Sequence, residues 1–256
     1  MKKIDNIYYT PERDERQQIL LYLPECDSFP VVVYFHGGGM EAGSRKDVDA
    51  YATYLAEKGI ALASVEYRMY PYAHYPDFIY DAAAAVACVK KTFSRFGNIE
   101  SIFVGGTSAG GYLSMMLCFD SRYLAPHGMK PTDIAGYIHN SGQPTTHFNV
   151  LRERGMDHRR TVVDEAAPIY HIGEAKEYSP MLFIASYDRD MPARYEQTLL
   201  AVATMRYLGY DMSRVYTEYL SGTHCEQDSR RGEDGVVELG KLIKGFVRRV
   251  EESKEV

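Results

Sequence analysis

The sequence predicts an α/β fold, with a mainly parallel central sheet covered by helices on both faces. Three observations support this prediction. Short apolar runs rich in β-branched residues alternate with longer segments of helical periodicity. Several of the short runs are apolar throughout, as expected of strands that are buried on both faces. The chain has 256 residues, of which 45% are hydrophobic and 25% charged, and this is enough for a single domain over residues 1–256.

The N-terminal half begins with two predicted strands. Residues 19–23 and 31–35 are apolar runs, and the turn between them is too short for a helical crossover. The two strands are therefore predicted to be antiparallel, at the edge of the sheet. A helix at residues 47–58, a strand at 60–66 and an alanine-rich helix at 77–96 follow, and a glycine comes directly after each helix.

The middle of the chain continues the alternation. A strand is predicted at residues 101–105, a helix at 109–119, and further strands at 134–139 and 181–186. Residues 141–178 fit this pattern poorly, because they combine proline and glycine with many arginines and histidines. We expect this stretch to form a small partial cap over the functional site, and a pair of short surface helices is the alternative.

The C-terminal part is predicted to contain a helix at residues 193–208, a strand at 215–220 and a final helix at 235–250. Ligands of such sheets bind beyond the carboxyl ends of the parallel strands. Polar residues that directly follow the predicted strands are therefore the first candidates for a functional site.

Composition and charge disfavour several classes of function. The net charge of −6 and the short, mixed basic patches disfavour nucleic-acid binding. No run approaches the roughly 18 apolar residues of a membrane span, so no membrane partner is expected. The N-terminus has lysines but no apolar stretch behind them, so no signal peptide is expected. The four cysteines, at positions 26, 88, 118 and 225, lack metal-type spacing and are expected to be reduced thiols in the cytoplasm.

Ser108 is the candidate nucleophile. It follows the predicted strand 101–105 and has glycines two residues away on either side, at positions 106 and 110. A nucleophilic serine on a sharp strand-to-helix turn needs this arrangement, because glycines let the backbone turn tightly and project the hydroxyl outward.

Acyl transfer also needs donors for the oxyanion that forms on the substrate carbonyl. Three successive glycines, Gly37 to Gly39, follow the strand 31–35 and leave backbone N–H groups able to approach a substrate oxygen. The amide of Ala109, at the start of the helix after Ser108, is a second candidate donor, and the helix dipole there favours negative charge.

Two aspartates are candidates for the acid that orients the base. Asp188 stands just beyond the strand 181–186, and Asp190 is two residues later. Asp188 is the favoured acid, because Pro192 is placed to start the next helix and Asp190 is placed to cap it.

His224 is the candidate base, because it lies in the loop after the strand 215–220 and gives the chain order Ser, Asp, His. His36 is expected to hold the glycine loop in shape. The remaining histidines come before the candidate acids, although His147 and His158 are able to approach the site from the cap.

These motifs together resemble the α/β-hydrolases of the hormone-sensitive-lipase-like and acetyl-esterase kind, over nearly the whole chain. The segments that carry the resemblance are the oxyanion strand at 31–39, the stretch 67–76 with Asp81 after it, the turn at 105–111 and the acid loop at 188–192. Two departures are Met191, where the family usually has valine, and Met40, where relatives often have an aromatic residue. The N-terminal helical cap of most lipase-like relatives is not expected in this chain.

The resemblance implies a serine carboxylesterase with no metal and no organic cofactor, in which Gly38 and Gly39 join Ala109 in the oxyanion hole. The expected substrate is a small ester with a short acyl group, such as an acetyl ester of a carbohydrate. An amidase, a peptidase or an arylformamidase on the same triad is one alternative. A non-catalytic ligand-binding protein on a hydrolase scaffold is an alternative from another class.

Overall fold

The computed structural model describes residues 1–254, which form one eight-stranded sheet flanked by helices. The strands are β1 (Lys2–Tyr8), β2 (Gln18–Leu23), β3 (Ser28–Phe35), β4 (Ala61–Val65), β5 (Asn98–Thr107), β6 (Gly136–Asn140), β7 (Met181–Ser186) and β8 (Val215–Leu220). The α-helices are α1 (Asp49–Glu57), α2 (Asp77–Thr92), α3 (Ala109–Phe119), α4 (Phe148–Glu153), α5 (Arg194–Tyr207) and α6 (Glu238–Glu252). Short 3₁₀ helices lie at Phe93–Phe96, Ala125–His127, Pro131–Asp133, Pro168–His171, Met212–Arg214 and Glu226–Asp228.

The strand order is β1-β2-β4-β3-β5-β6-β7-β8. Strands β3 to β8 are parallel to one another, and β1 and β2 add an antiparallel pair at one side. The predicted α/β class with a mainly parallel sheet is therefore confirmed. The carboxyl ends of the six parallel strands share one rim, which is where the candidate residues after β3, β5, β7 and β8 emerge.

The predicted pairing of the first two apolar strands is corrected by the structure. Strands β2 and β3 do run in opposite directions, but β4 lies between them. The sheet edge on this side is β1, a strand that the sequence pattern does not predict. Its residues are mostly charged or polar and exposed, a composition that protects an edge strand but removes the hydrophobic pattern by which strands are found.

Alternating side chains of the central strands fill two apolar cores, one on each face of the sheet. On β3, Val31, Val33 and Phe35 join the core beneath α2, α3 and α5, whereas Val32 and Tyr34 join the core beneath α1 and α6. This period of two is what a strand buried on both faces requires. Within residues 1–254, none of the helices combines the length and apolar character that crossing a bilayer requires.

Candidate active site

Ser108 lies on a sharp turn between β5 and α3. Its backbone has φ of 53° and ψ of −109°, a left-handed conformation that residues with a Cβ rarely adopt and that indicates stored strain. The flanking glycines make the turn possible. A Cβ on Gly110 would lie 2.0 Å from the carbonyl oxygen of Phe35, and one on Gly106 would lie 2.4 Å from the backbone of Gly110. The turn therefore brings α3 directly against the ends of β3 and β5.

The structure brings Ser108 and His224 together. The Ser108 Oγ lies 2.9 Å from His224 Nε2, although 116 positions separate the two residues in the chain. On the other side of the ring, His224 Nδ1 lies 2.5 Å from the Oδ1 of Asp190. Because a carboxylate only accepts, Nδ1 carries the proton and Nε2 is free to accept from the serine hydroxyl. Serine, imidazole and carboxylate thus form one continuous hydrogen-bonded chain.

The prediction that Asp188 contacts the base is wrong, because Asp190 occupies that position. Asp188 instead accepts hydrogen bonds from Ser221 Oγ and the amide of Gly222, each at 2.7 Å, and so fixes the loop that carries His224. Its side chain is 34% exposed, whereas that of Asp190 is 3% exposed. Asp190 does not cap α5, because this helix begins only at Arg194 and its N-cap residue is Ala193.

Asp190 is held as a buried carboxylate. Burial by itself raises the pKa of this carboxyl, but hydrogen bonds and charge from His224, the amide of Met191 and the charge of Arg194 outweigh it, so the net pKa lies below the usual range. The Met191 amide donates to Oδ1 at 2.7 Å and the Ser186 amide to Oδ2 at 3.3 Å. The acid loop therefore supplies Asp190 with fixed donors as well as a fixed position.

The glycine loop lies beside Ser108. A Cβ on Gly37 would lie 3.4 Å from the Cβ of Ser108, and Gly38 and Gly39 have φ of 106° and 66°, which favour glycine. No acceptor within residues 1–254 is bonded to the amides of Gly38, Gly39 or Ala109. These three N–H groups, in the loop after Gly37 and in the residue after Ser108, are therefore free donors within the described residues.

His36 has the local role that its position predicts. Its Nδ1 donates to the carbonyl oxygen of Gly37 at 2.7 Å, and its ring stacks on Tyr67 with centroids 4.5 Å apart. The ring therefore braces the start of the glycine loop.

Comparison with known proteins agrees with this architecture. Residues 19–126 match the BD-FAE family model. A solved structure of esterase B from Lactobacillus rhamnosis superposes with a TM-score of 0.79 and 16% identity, over 99% of this chain and 87% of that one. Esterase 2 of Thermogutta terrifontis gives a TM-score of 0.78 with 21% identity, over 97% and 94% of the two chains. The chain has the α/β-hydrolase fold. The resemblance to esterases of this fold, predicted from the sequence, is confirmed.

Curated relatives of this chain carry esterase names. Carboxylesterase NlhH of Mycobacterium tuberculosis is 40% identical over 93 residues, which are 36% of this chain and 29% of NlhH. Carboxylic ester hydrolase LipN of the same species is 29% identical over 211 residues, which are 70% of this chain and 55% of LipN. The chain thus spans less than a third of NlhH and about half of LipN.

A buried polar network supports the site from behind. Asn140, at the end of β6, donates through Nδ2 to Thr107 Oγ1 at 2.9 Å and to Asp228 Oδ1 at 2.8 Å, and its carbonyl accepts from the Ser108 amide at 2.8 Å. Tyr34 joins Thr107 at 2.9 Å. Burial raises the pKa of Asp228 to about 6. The network ties the His224 loop to the turn of Ser108. This network leaves no pattern in the sequence, because its members are single polar residues on separate elements.

The segment 141–178 packs onto the glycine loop through α4. The side-chain amide of Asn149 donates to the carbonyl oxygen of Gly39, and the ring of Phe148 comes within 3.3 Å of where a Cβ on Gly39 would stand. Glu153, at the other end of α4, accepts from the Tyr70 hydroxyl at 2.5 Å. Helix α4 is thus positioned over the same rim as Ser108. Whether the whole segment acts as a cap stays a prediction.

One cluster offers potential metal ligands away from this site. Asp120, His171 and Glu174 place ligand atoms within 4.8 Å of one another. These groups already have partners: Arg122 pairs with Asp120 at 2.7 Å, and the His171 nitrogens lie 2.9 Å from the Glu174 carboxylate and the Glu165 carbonyl. The cluster therefore has a sufficient structural explanation in its own hydrogen bonds.

Proposed function

We propose that the chain is a serine esterase that hydrolyses small esters with short acyl groups. The observation that carries the proposal is the hydrogen-bonded chain from Ser108 through His224 to Asp190. The names of the curated relatives support it, and one of them, 37% identical over 86 residues, is the versiconal hemiacetal acetate esterase of Aspergillus parasiticus. Acetyl esters, including those of carbohydrates, are therefore the first substrates to test.

In the first half of the reaction, the Ser108 hydroxyl attacks the ester carbonyl carbon while His224 Nε2 takes its proton. The proton on Nδ1 stays between His224 and Asp190, whose carboxylate stabilises the imidazolium that forms. The tetrahedral intermediate then collapses, the bond to the alcohol oxygen breaks, and the imidazolium gives its proton to the leaving alcohol. The product is an acyl group on Ser108.

The oxyanion of the tetrahedral intermediate is bound, in this proposal, by the amides of Gly38, Gly39 and Ala109. Their open donor capacity and their position beside Ser108 support this assignment. Each such donor commonly contributes about 3 kcal/mol to transition-state stabilisation.

In the second half, water attacks the acyl-enzyme while His224 accepts its proton. Collapse of the second intermediate releases the carboxylic acid and returns the proton to Ser108. The proposed cycle uses only side chains and amides of this chain, and no metal or organic cofactor takes part. The side chain of His224 is 23% exposed, which gives water a route to the base.

The decisive experiment compares the native protein with Ser108→Ala on 4-nitrophenyl esters of increasing acyl length, with Ser213→Ala, at a remote exposed serine, as the matched control. We expect Ser108→Ala to lose about 10⁴-fold or more in kcat, and the control to lose nothing. A fluorophosphonate probe should label the peptide that contains Ser108. Equal rates for the native protein and Ser108→Ala, or labelling elsewhere, would refute the proposal.

A reducing cytoplasmic location stays part of the proposal. It is supported by the four cysteines, which are all free thiols in the described part of the chain. Fractionation of the source cells with an antibody to this chain tests it, and recovery outside the cytoplasm would contradict it.

A further inference from the structure

A cavity of about 350 Å³ lies between α4, the loop at residues 158–161 and the start of α5. Its wall is unusually basic. Arg152, Arg159, Arg160 and Arg194 line it together with His158, and no aspartate or glutamate is among its lining residues in the described chain. The overall net charge of the chain is −6, so this concentration of positive charge runs against the average surface.

The cavity adjoins the proposed active site on two sides. Phe148 lines it, and the ring of the same residue approaches the glycine loop at Gly39. Met191 and Pro192 also line it, directly after the triad acid Asp190. A substrate whose reacting carbonyl lies at Ser108 can therefore extend one of its two halves into this space.

Arg194 is the unusual member of the wall. Its guanidinium is buried, with 2% of the residue exposed, and donates to the Ser141 carbonyl at 2.6 Å and to Gln143 Oε1 at 3.2 Å. Its Nε has no hydrogen-bond partner within residues 1–254. Asp190 is close enough for its charge to act on Arg194, but its oxygens are bonded to His224 and to backbone amides. A buried guanidinium with an open donor and no bonded carboxylate destabilises the fold, because its charge loses hydration without gaining a paired anion; a bound carboxylate would remove this penalty.

The other arginines of the wall are available at the mouth of the cavity. Arg159 pairs with Asp157 and Arg152 with Glu41, and all four of these side chains are largely exposed. Arg160 forms no ion pair in the described part of the chain, and it too is exposed. Exposed ion pairs contribute little to stability, so a ligand can draw these guanidinium groups to itself without a large penalty.

We propose that this cavity binds a carboxylate carried by the substrate, so that the preferred substrates are acidic esters. The proposal rests on the esterase function proposed above and names its substrate class. The planar guanidinium fork matches a carboxylate in geometry and charge, and the low exposure of Arg194 strengthens such a pair. The volume is sufficient for the carboxylate and several carbon atoms of an acyl chain or an aromatic alcohol.

The test uses pairs of esters that differ in charge but hardly in shape. In the first pair the carboxylate is on the alcohol half of the ester: 4-acetoxybenzoate is compared with the neutral 4-acetoxybenzamide. In the second pair the carboxylate is on the acyl half: monophenyl adipate is compared with the neutral phenyl hexanoate. In at least one pair, kcat/KM for the acidic ester should exceed that for the neutral ester by about tenfold or more, and added salt should reduce the ratio.

Three variants assign the preference to the cavity. Arg194→Met should abolish the preference for the acidic ester, and Arg160→Gln should reduce it about twofold to fivefold. Arg206→Gln, at an exposed position of α5 outside the cavity, should leave the ratio unchanged. A ratio near one in both pairs for the native protein, or the same ratio in Arg160→Gln and Arg206→Gln, would overturn the proposal even if Arg194→Met does not fold.

A binding measurement separates this proposal from the proposed function. On Ser108→Ala, 4-acetoxybenzoate should raise the melting temperature and 4-acetoxybenzamide should not, and Arg160→Gln in the same background should weaken the shift. Acid-selective binding without hydrolysis of any ester would support the carboxylate-binding cavity and refute the proposed esterase function. Hydrolysis that depends on Ser108, without acid preference or acid-selective binding, would support the esterase function and refute the carboxylate-binding cavity.

Discussion

Replacing Asp190 by asparagine tests the assignment of the acid most directly. In the native protein Asp190 accepts from His224 Nδ1 at 2.5 Å and thereby holds the proton on that nitrogen. An asparagine there is able to turn its amide N–H toward Nδ1, which moves the ring proton to Nε2. Nε2 then points a proton at Ser108 and no longer accepts one. This loss of the productive tautomer should lower kcat about 10⁴-fold, or about 5.5 kcal/mol in activation free energy.

Asp188→Asn is the matched control, since it makes the same chemical change two residues away. Among residues 1–254, Asp188 is bonded to the loop at Ser221 and Gly222 and to nearby Arg189 alone, and its side chain is one-third exposed. Its kcat should stay within about threefold of the native value.

The assay is the hydrolysis of 4-nitrophenyl acetate over pH 5–9, with circular dichroism to verify that both variants fold. A loss for Asp188→Asn as large as that for Asp190→Asn would refute the assignment. So would an Asp190→Asn protein that keeps more than about one-hundredth of the native kcat.

Three further substitutions test the surroundings of the site. Gly110→Ala forces a Cβ against a β3 carbonyl oxygen and should lower the free energy of unfolding in urea by about 1–3 kcal/mol, whereas Gly245→Ala, in open space on α6, should not lower it; equal values would contradict the packing argument. Asp228→Asn removes a carboxyl whose pKa burial raises from 3.8 to about 6. In the folded protein this carboxyl is mainly neutral below about pH 5 and mainly charged above about pH 7, whereas in the unfolded chain it is already charged above about pH 4, so the native protein loses stability as the pH rises from about 4 to about 8. The variant should therefore match the native stability near pH 4 and exceed it near pH 8, by at most about 3 kcal/mol, in urea titrations at the two pH values; a variant less stable at pH 8 would contradict this. Asn149→Ala frees the Gly39 carbonyl and should lower kcat for 4-nitrophenyl acetate about tenfold with little change in circular dichroism; an unchanged kcat would show that the loop holds its own shape.

Much of the fold and half of the geometry of the proposed triad were predictable from the sequence. The bounds of the predicted strands and helices agree within a few residues, because most of these elements carry a strong apolar period and three of the predicted helices end directly before a glycine. The contact between Ser108 and His224 followed from a general rule, that residues after parallel strands meet at one rim. The rule holds for parallel strands, and the alternation of strands and helices along the sequence already indicates that most strands are parallel.

The acid was misplaced because the choice depends on the path of a loop. Asp188 and Asp190 have the same chemistry and nearly the same place in the sequence, and only the backbone turn after Ser186 directs one inward. Arg194 was missed for a related reason. It lies in a predicted helix, where an arginine is ordinarily solvent-exposed, and its burial becomes visible only once α5 packs against the segment after β6.

The position of the proposed base has a consequence for thermal inactivation. His224 lies in the loop that follows β8. In the described sheet β8 is the outermost parallel strand, pairs with a neighbour on one side only, and is the least buried of the six parallel strands. Ser108, by contrast, follows the central strand β5, whose last five residues are buried, and the neighbouring strand β6 is buried throughout. Local unfolding of β8 would separate the His224 imidazole from the Ser108 hydroxyl while the central strands stay folded. On heating, esterase activity should therefore be lost at a lower temperature than the far-UV circular dichroism signal. The activity should return on cooling if the central strands have stayed folded.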